Sequence, residues 1–111
     1  MNTRLLQLET ETLSNPFYRK VLQTTSNLQV VVMSLHQGRE LGWEIHDQSD
    51  QFIRVEDGEL SVLINDQIYQ LFTGDAIVVP RNNYHNVIAE TDTKIYTIYS
   101  PPVHPPNTIE A

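Results

Sequence analysis

Residues 38–58 read GRELGWEIHDQSDQFIRVEDG, and the fold turns on how this stretch is paired. Glu44 and His46 sit two apart in a run that otherwise alternates apolar residues. Successive side chains of a strand point to opposite faces, so residues i and i+2 share one. A strand over 42–46 therefore places the Glu44 carboxylate and the His46 imidazole side by side. Asp47 to Asp50 is a short polar turn, and Gln51 opens a second run, QFIRV. A hairpin across that turn would return Gln51 to the side of His46. Further on, His85 closes the stretch GDAIVVPRNNYH. Two imidazoles, one carboxylate and a neutral amide oxygen could converge on one metal ion.

Outward from this stretch the chain reads as short strands. Runs near 17–24, 28–36, 42–46, 51–56, 60–64, 67–72, 76–79, 84–89 and 94–99 are rich in β-branched and aromatic residues. Turn signals separate them: Ser26-Asn27, Gln37-Gly38, Asp57-Gly58, Asn65-Asp66, Thr73-Gly74, Pro80 to Asn83 and Thr91-Asp92. Asp57-Gly58 and Asn65-Asp66 suit tight hairpins that need positive φ. Many short strands at even spacing predict an all-β sandwich or barrel. Residues 1–15, with Leu5, Leu6, Leu8 and Leu13, fit either a short helix or an edge strand, and Asn15-Pro16 ends that segment. The ending SPPVHPPNTIEA carries two Pro-Pro pairs, which exclude helix and favour extended chain. With 111 residues, the expectation is one domain over 1–111: an N-terminal segment 1–15, a barrel 17–100 and a Pro-rich tail 101–111.

Composition removes several function classes. Fourteen acidic against seven basic residues give a formal net charge of −7, which argues against nonspecific nucleic-acid or anionic-membrane binding. Cysteine is absent, so disulfides and thiolate ligands are excluded and a metal must take N and O donors. No apolar run approaches the ~20 residues of a membrane span, and the N-terminus lacks a signal-peptide pattern. A cytoplasmic protein is the expectation.

The spacings resemble those of the cupins, small jelly-roll barrels also described as double-stranded β-helices. Gly38, Glu44-x-His46, Gln51 and Gly58 fall on the family's first motif, Gly, five residues, His-x-His, three or four residues, Glu, six residues, Gly. Gly74, Pro80, Asn82, His85 and Ala89 fall on the second, Gly, five residues, Pro-x-Gly, two residues, His, three residues, Asn. Four positions depart from the pattern. Glu44 stands for the first His, Gln51 for the Glu, Asn82 for a Gly and Ala89 for the Asn. Asn82 is the mild change, because Asn tolerates left-handed backbone. The phrase DQFIRVEDGE and the ending YTIYSPPVHPP resemble a bacterial subgroup labelled mannose-6-phosphate-isomerase-like.

The resemblance implies Glu44, His46, Gln51 and His85 as ligands of one divalent ion: Fe, Mn, Ni or Zn. Gln51 would bind only through its neutral carbonyl oxygen. It also implies a homodimer made through N-terminal strands, for which the apolar 28–33 run is a candidate. Three readings follow. One is an isomerase- or dioxygenase-like enzyme acting on a small polar molecule. The second is a barrel that binds such a molecule without turnover, and the third a structural domain with a degenerate site. Without metal, the four polar residues would form a pocket for an organic ligand. No general base is identified; Glu44 could serve if it is not a ligand.

Other residues take plainer roles. Ile53, Val55, Val62, Ile64, Ile77, Val79, Val87 and Ile98 are expected to line the barrel. One of Tyr96 and Tyr99 joins them. Trp43, Phe52 and Tyr84 are expected between the sheets or in a dimer contact, and Arg54 on the face away from the metal. Asp50 and Asp75 are expected to bond turn backbone, and His36 to be exposed. His104 is a weaker candidate for capping the pocket mouth. Arg81 at the rim is the best candidate to hold a phosphate.

Overall fold

A computed structural model describes residues 3–111; the first two residues of the N-terminal segment lie outside it. The segment resolves as a helix, α1 (Leu8–Ser14), not an edge strand. Glu9 and Glu11 lie in its first turn, where the helix dipole favours negative charge. Glu11 also accepts from the Gln7 N–H at 3.0 Å and pairs with Arg4 at 2.8 Å. Asn15-Pro16 stops it, as Pro requires. No helix among the described residues is long and apolar enough to cross a membrane.

Among the described residues nine strands follow: β1 (Arg19–Thr24), β2 (Gln29–Leu35), β3 (Asp50–Asp57), β4 (Glu59–Ile64), β5 (Gln67–Phe72), β6 (Ala76–Val79), β7 (His85–Ala89), β8 (Thr93–Ser100) and β9 (Ile109–Glu110). They form a six-stranded sheet, β6-β3-β8-β2-β1-β9, and a three-stranded sheet, β5-β4-β7. All pairings are antiparallel. This is a jelly-roll barrel, with the core between the two sheets.

The strand interiors alternate as a half-buried sheet must. On β3 the inward residues are Gln51, Ile53 and Val55; on β8 they are Thr93, Ile95, Thr97 and Tyr99. The register joins them as Gln51↔Tyr99, Ile53↔Thr97 and Val55↔Ile95. From the other sheet, Leu60, Val62, Val87 and Ala89 meet them. Most of the expected lining is therefore inward, with Ile64 and Ile77 only partly buried against the core. Ile98 is a correction. It pairs with Phe52 on the outer face, and Tyr99 is the tyrosine that turns in. The run from Val30 to Val32 is buried on both faces, because β2 lies between β1 and β8 and packs under α1. Leu28, at the start of the 28–33 run, is 42% exposed.

The predicted strand over 42–46 does not form. Residues 38–44 run along β7 as isolated bridges, Glu40↔Ile88 and Glu44↔His85. Four steps on one side (44 − 40) oppose three on the other (88 − 85), so one extra residue is inserted. That is a β-bulge, and Gly42 supplies it with φ +96°. No hairpin joins 42–46 to β3, whose partners are β6 and β8. Gln51 reaches the barrel interior through that sheet instead.

Gly58, closing the first motif, has φ +116°, and a Cβ there would lie 2.6 Å from Thr93 Oγ1 and 2.7 Å from the Asp92 carbonyl oxygen. Left-handed strain costs an L-residue about 1–2 kcal/mol, and the backbone oxygen cannot swing away. Gly58→Ala will lower stability by at least about 2 kcal/mol, read as a drop of roughly 8 °C in melting temperature.

Candidate metal centre

The bulge decides which side chains enter the barrel. Leu41 packs against the core. Regular alternation from Leu41 would put Trp43 and Ile45 inside and Glu44 and His46 outside. The extra residue reverses the phase. Trp43 and Ile45 are 44% and 52% exposed, and Trp43 stacks on Tyr84 at 4.7 Å on the outside, not between the sheets. Glu44 and His46 turn toward His85 instead, His46 mostly buried and Glu44 at the rim with its side chain 43% exposed. The Glu44 and His85 main chains bond both ways, at 2.9 and 3.0 Å. The His46 carbonyl accepts from Asn82 N at 2.9 Å. Asn82 has φ +67°, as expected of an Asn replacing a Gly.

Ligand atoms of Glu44, His46 and His85 lie within 4.8 Å of one another, a set that could hold a metal ion. The rings of His46 and His85 are 5.3 Å apart. His85 Nδ1–H donates to the Asn83 carbonyl at 2.9 Å, which leaves Nε2 with the lone pair. His46 Nε2 stands 3.6 Å from Glu44 Oε1. That is an ion-pair approach beyond hydrogen-bond length, and the nitrogen is buried with no hydrogen-bond partner. The His46 imidazole, more than opposing burial, holds the Glu44 carboxyl below the usual carboxylate range. Glu44 is therefore ionised at neutral pH and acceptor-only.

Gln51 is almost fully buried and its orientation is fixed. Nε2 donates to Thr97 Oγ1 at 3.1 Å and to Tyr99 Oη at 3.2 Å, so Oε1 faces the other way, buried and without a partner. Burial pushes the Tyr99 hydroxyl well above its ordinary pKa, so it stays protonated. The Tyr99 ring meets His46 edge-on at 5.5 Å. The donor set suits a hard or borderline divalent cation. It has one carboxylate, two imidazoles and an amide oxygen, and two of its atoms are buried without a hydrogen-bond partner.

Other expectations are met or changed. Arg54 pairs with Glu56 at 3.4 Å on the outer face and His36 is exposed. Asp75 Oδ2 accepts from Phe72 N at 2.9 Å, a local turn contact, whereas Asp50 Oδ1 accepts from Arg81 N across the sheet at 2.9 Å. Arg81 itself is exposed at the surface. A cavity of about 380 Å³ between Tyr18, Ser34, Arg39, Asp92 and Lys94 shares no lining residue with the triad. Its cations are engaged: Lys94 Nζ donates to the Asn15 carbonyl at 2.6 Å, and Arg39 stacks on Tyr18.

Three residues of the site had no signal in the sequence. Gln29, fully buried on β2, accepts from Val103 N and His104 N and donates to the His104 carbonyl at 2.7 Å. That clamps the Pro-rich tail along the barrel and sets the His104 ring edge-on to Tyr99 at 5.3 Å. Asn86, also buried, accepts from Gly42 N at 3.0 Å and Val87 N at 2.8 Å and donates to Glu40. Arg19, on β1, turns a mostly buried guanidinium inward and pairs with Glu110 at 2.8 Å.

Residues 31–99 match the family described as Cupin domain. The chain is 39% identical over 112 residues to protein L612 of Acanthamoeba polyphaga mimivirus, covering 96% of this chain and 70% of that protein. It is 37% identical over 113 residues to YrkC of Bacillus subtilis, covering 95% of this chain and 61% of that protein. The crystal structure of BH2720 from Bacillus halodurans superposes with a TM-score of 0.93 at 36% identity, covering 98% of this chain and 89% of that one.

Proposed function

The chain belongs to the cupin family, and from that premise we propose that it is a mononuclear-metal cupin binding a small polar molecule in its barrel. Glu44, His46 and His85 are the ligands, with the Gln51 carbonyl oxygen as a weaker fourth. One observation carries the reading. His46 Nε2 and Gln51 Oε1 are buried polar atoms with no hydrogen-bond partner, on residues that both touch Tyr99. Leaving two such atoms unpaired costs about 1–3 kcal/mol each, a penalty a cation removes.

A divalent ion held by Glu44, His46 and His85 would leave the site at +1 and would supply polarisation of a bound water, carbonyl or enolate. The chain's own residues do the rest. Ile53, Val62 and Val87 keep the floor of the barrel dry, which strengthens every charge interaction above it. Tyr99 stays protonated and orients the Gln51 amide. Isomerase- or oxygenase-like turnover is the enzymatic form of this reading, and binding without turnover is the other.

Elemental analysis of untagged protein, purified without chelator, tests it. About one Fe, Mn, Ni or Zn per chain is expected. Protein that stays empty after each of the four ions is added back overturns the metal assignment.

A further inference from the structure

A sheet edge carries unpaired backbone groups, and every edge of this fold but one is short or covered. β9 has two residues, β6 has four and runs into Pro80, and β7 is lined by the bridges from Glu40 and Glu44. β5 has six residues, with β4 on one side and no strand on the other among the described residues. We propose that this edge is a contact between two copies of the chain, in which β5 pairs antiparallel with β5 of the partner subunit about a two-fold axis at Tyr69. The proposal is independent of the metal centre.

β5 lacks the devices that blunt an edge. It carries no charge, no proline and no glycine, and its register with β4 is unbroken from Gln67 to Phe72. Apolar side chains on both of its faces reach solvent. Ile68 is 67% exposed and Phe72 51% on one face, and Tyr69 is 42% exposed on the other. Charge selects the occupant. Two chains of net charge −7 approach closely only through neutral surface, and β5 supplies it, with no charged residue between Asp66 and Asp75. Antiparallel pairing of β5 with itself also closes as a dimer and leaves no growing edge.

Backbone bonding fixes the register. In an antiparallel ladder the N–H and C=O of one residue point to the same neighbour, and successive residues alternate between neighbours. Phe72 N–H donates to Asp75 Oδ2 at 2.9 Å, and the Phe72 carbonyl accepts from Asp75 N at 2.9 Å. Both groups of Phe72 therefore point away from β4. By alternation those of Gln70 and Ile68 do the same, while Leu71, Tyr69 and Gln67 bond to β4. The edge thus offers four groups, the N–H and C=O of Ile68 and of Gln70. A two-fold normal to the sheet at Tyr69 sets Ile68 opposite the partner's Gln70, and Gln70 opposite the partner's Ile68. Each pair exchanges two bonds, so all four groups of both chains are answered. An axis at Gln70 would instead set Ile68 against the partner's Phe72, whose groups Asp75 already holds. With the axis at Tyr69, Ile68 is the diagonal neighbour of the partner's Ile68 and the partner's Phe72, about 7–8 Å away and within reach of such side chains. The two small sheets become one, with β7 and its His85 outermost on each side.

Sedimentation equilibrium of the wild-type chain and its variants, with circular dichroism as the check on folding, tests the contact. Wild type is expected to be dimeric at ~100 µM. Its dimer should tighten severalfold between ~0.05 and ~0.5 M salt, because the two copies repel. Gln70→Pro removes an edge N–H and leaves the β4 ladder intact, the one place in a sheet where proline is tolerated. Ile68→Lys sets like charges across the axis. Each should weaken the dimer at least about 30-fold with the fold retained. The register has its own readout. The chain has no cysteine, so a thiol introduced at position 69 can bridge only to its copy. Tyr69→Cys should give a disulfide-linked dimer on mild oxidation, since such a pair has Cα atoms about 4.5 Å apart. Gln70→Cys, whose copy lies on the diagonal at about 7–8 Å, should not. Wild type that is monomeric at ~1 mM, or a dimer indifferent to both Gln70→Pro and Ile68→Lys, overturns the proposal. Should Gln70→Pro fail to fold, Ile68→Lys and Tyr69→Cys decide it. Bridging through position 70 and not through 69 overturns the axis at Tyr69.

Discussion

His46→Ala protein will leave purification essentially without metal, and its affinity for added Fe, Mn, Ni or Zn will fall by at least about 100-fold. Removing partners that merely orient a ligand costs 10–100-fold, so removing a ligand costs no less. The two remaining donors, Glu44 and His85, come from the two sides of a single bridge and span too little of the ion's coordination shell. The fold should persist, because His46 sits beyond the bulge, outside the named strands, and its ring touches the core only through Tyr99 and His85. Gln51 separates the ligands by strength. Gln51→Ala should weaken binding about tenfold, since a neutral amide oxygen is the poorest donor of the four. Gln51→Glu should do the reverse, tightening the metal. It should also destabilise the metal-free protein, because a buried carboxylate at position 51 would then lie near the Glu44 carboxylate with no cation between them. Metal stoichiometry and melting temperature with and without chelator check all three. Equal metal content in wild type and His46→Ala would remove His46 from the ligand set.

Which parts of this site could be read from the chain follows from the range of the interactions involved. Turn chemistry is local, and it was legible. Gly58 and Asn65 take the positive φ that Asp57-Gly58 and Asn65-Asp66 call for, and Asn82 takes the left-handed conformation left to it in place of a Gly. The spacing singled out Glu44, His46 and His85, whose ligand atoms the fold brings within 4.8 Å of one another. The mechanism of their convergence was not legible. A single inserted residue at Gly42 changes which face every later side chain takes, and alternation cannot reveal an insertion whose count is set by a partner strand about 40 residues away. Ile98 and Tyr99 show the same limit. Both faces of β8 carry apolar residues, because α1 covers part of the outer one, so only the Gln51↔Tyr99 register assigns the inner face. Gln29 and Arg19 were invisible for a related reason. Their partners lie 75 to 91 positions distant, and a polar residue at a strand edge carries no local mark of a contact that far along the chain.

Asn86 is where that long-range dependence is most exposed to test. Its Oδ1 is the acceptor for the backbone N–H of both Gly42 and Val87, and its Nδ2 ties to Glu40 at 2.8 Å. Asn86→Leu keeps the volume and strands both N–H groups. At about 1–3 kcal/mol for the buried Val87 N–H and less for the part-buried Gly42 N–H, the loss should total about 2–4 kcal/mol. The consequence for function is separate from the consequence for stability. With the bulge unsupported, the segment can slip to regular pairing with β7, which turns Glu44 and His46 outward. Metal affinity should therefore fall about 10- to 100-fold even at temperatures where the variant is fully folded. Asn86→Asp isolates the cause. It preserves the shared acceptor but sets a second carboxylate against Glu40, so it should lose stability through repulsion while keeping the bulge. Adding Glu40→Gln restores a donor opposite the new carboxylate, and the double variant should recover most of both stability and metal affinity. If Asn86→Leu binds metal as tightly as wild type once folded, the bulge is not what aims Glu44 and His46. If the double variant recovers stability but not affinity, the Asn86 amide serves the metal centre by some route other than the Gly42 bulge.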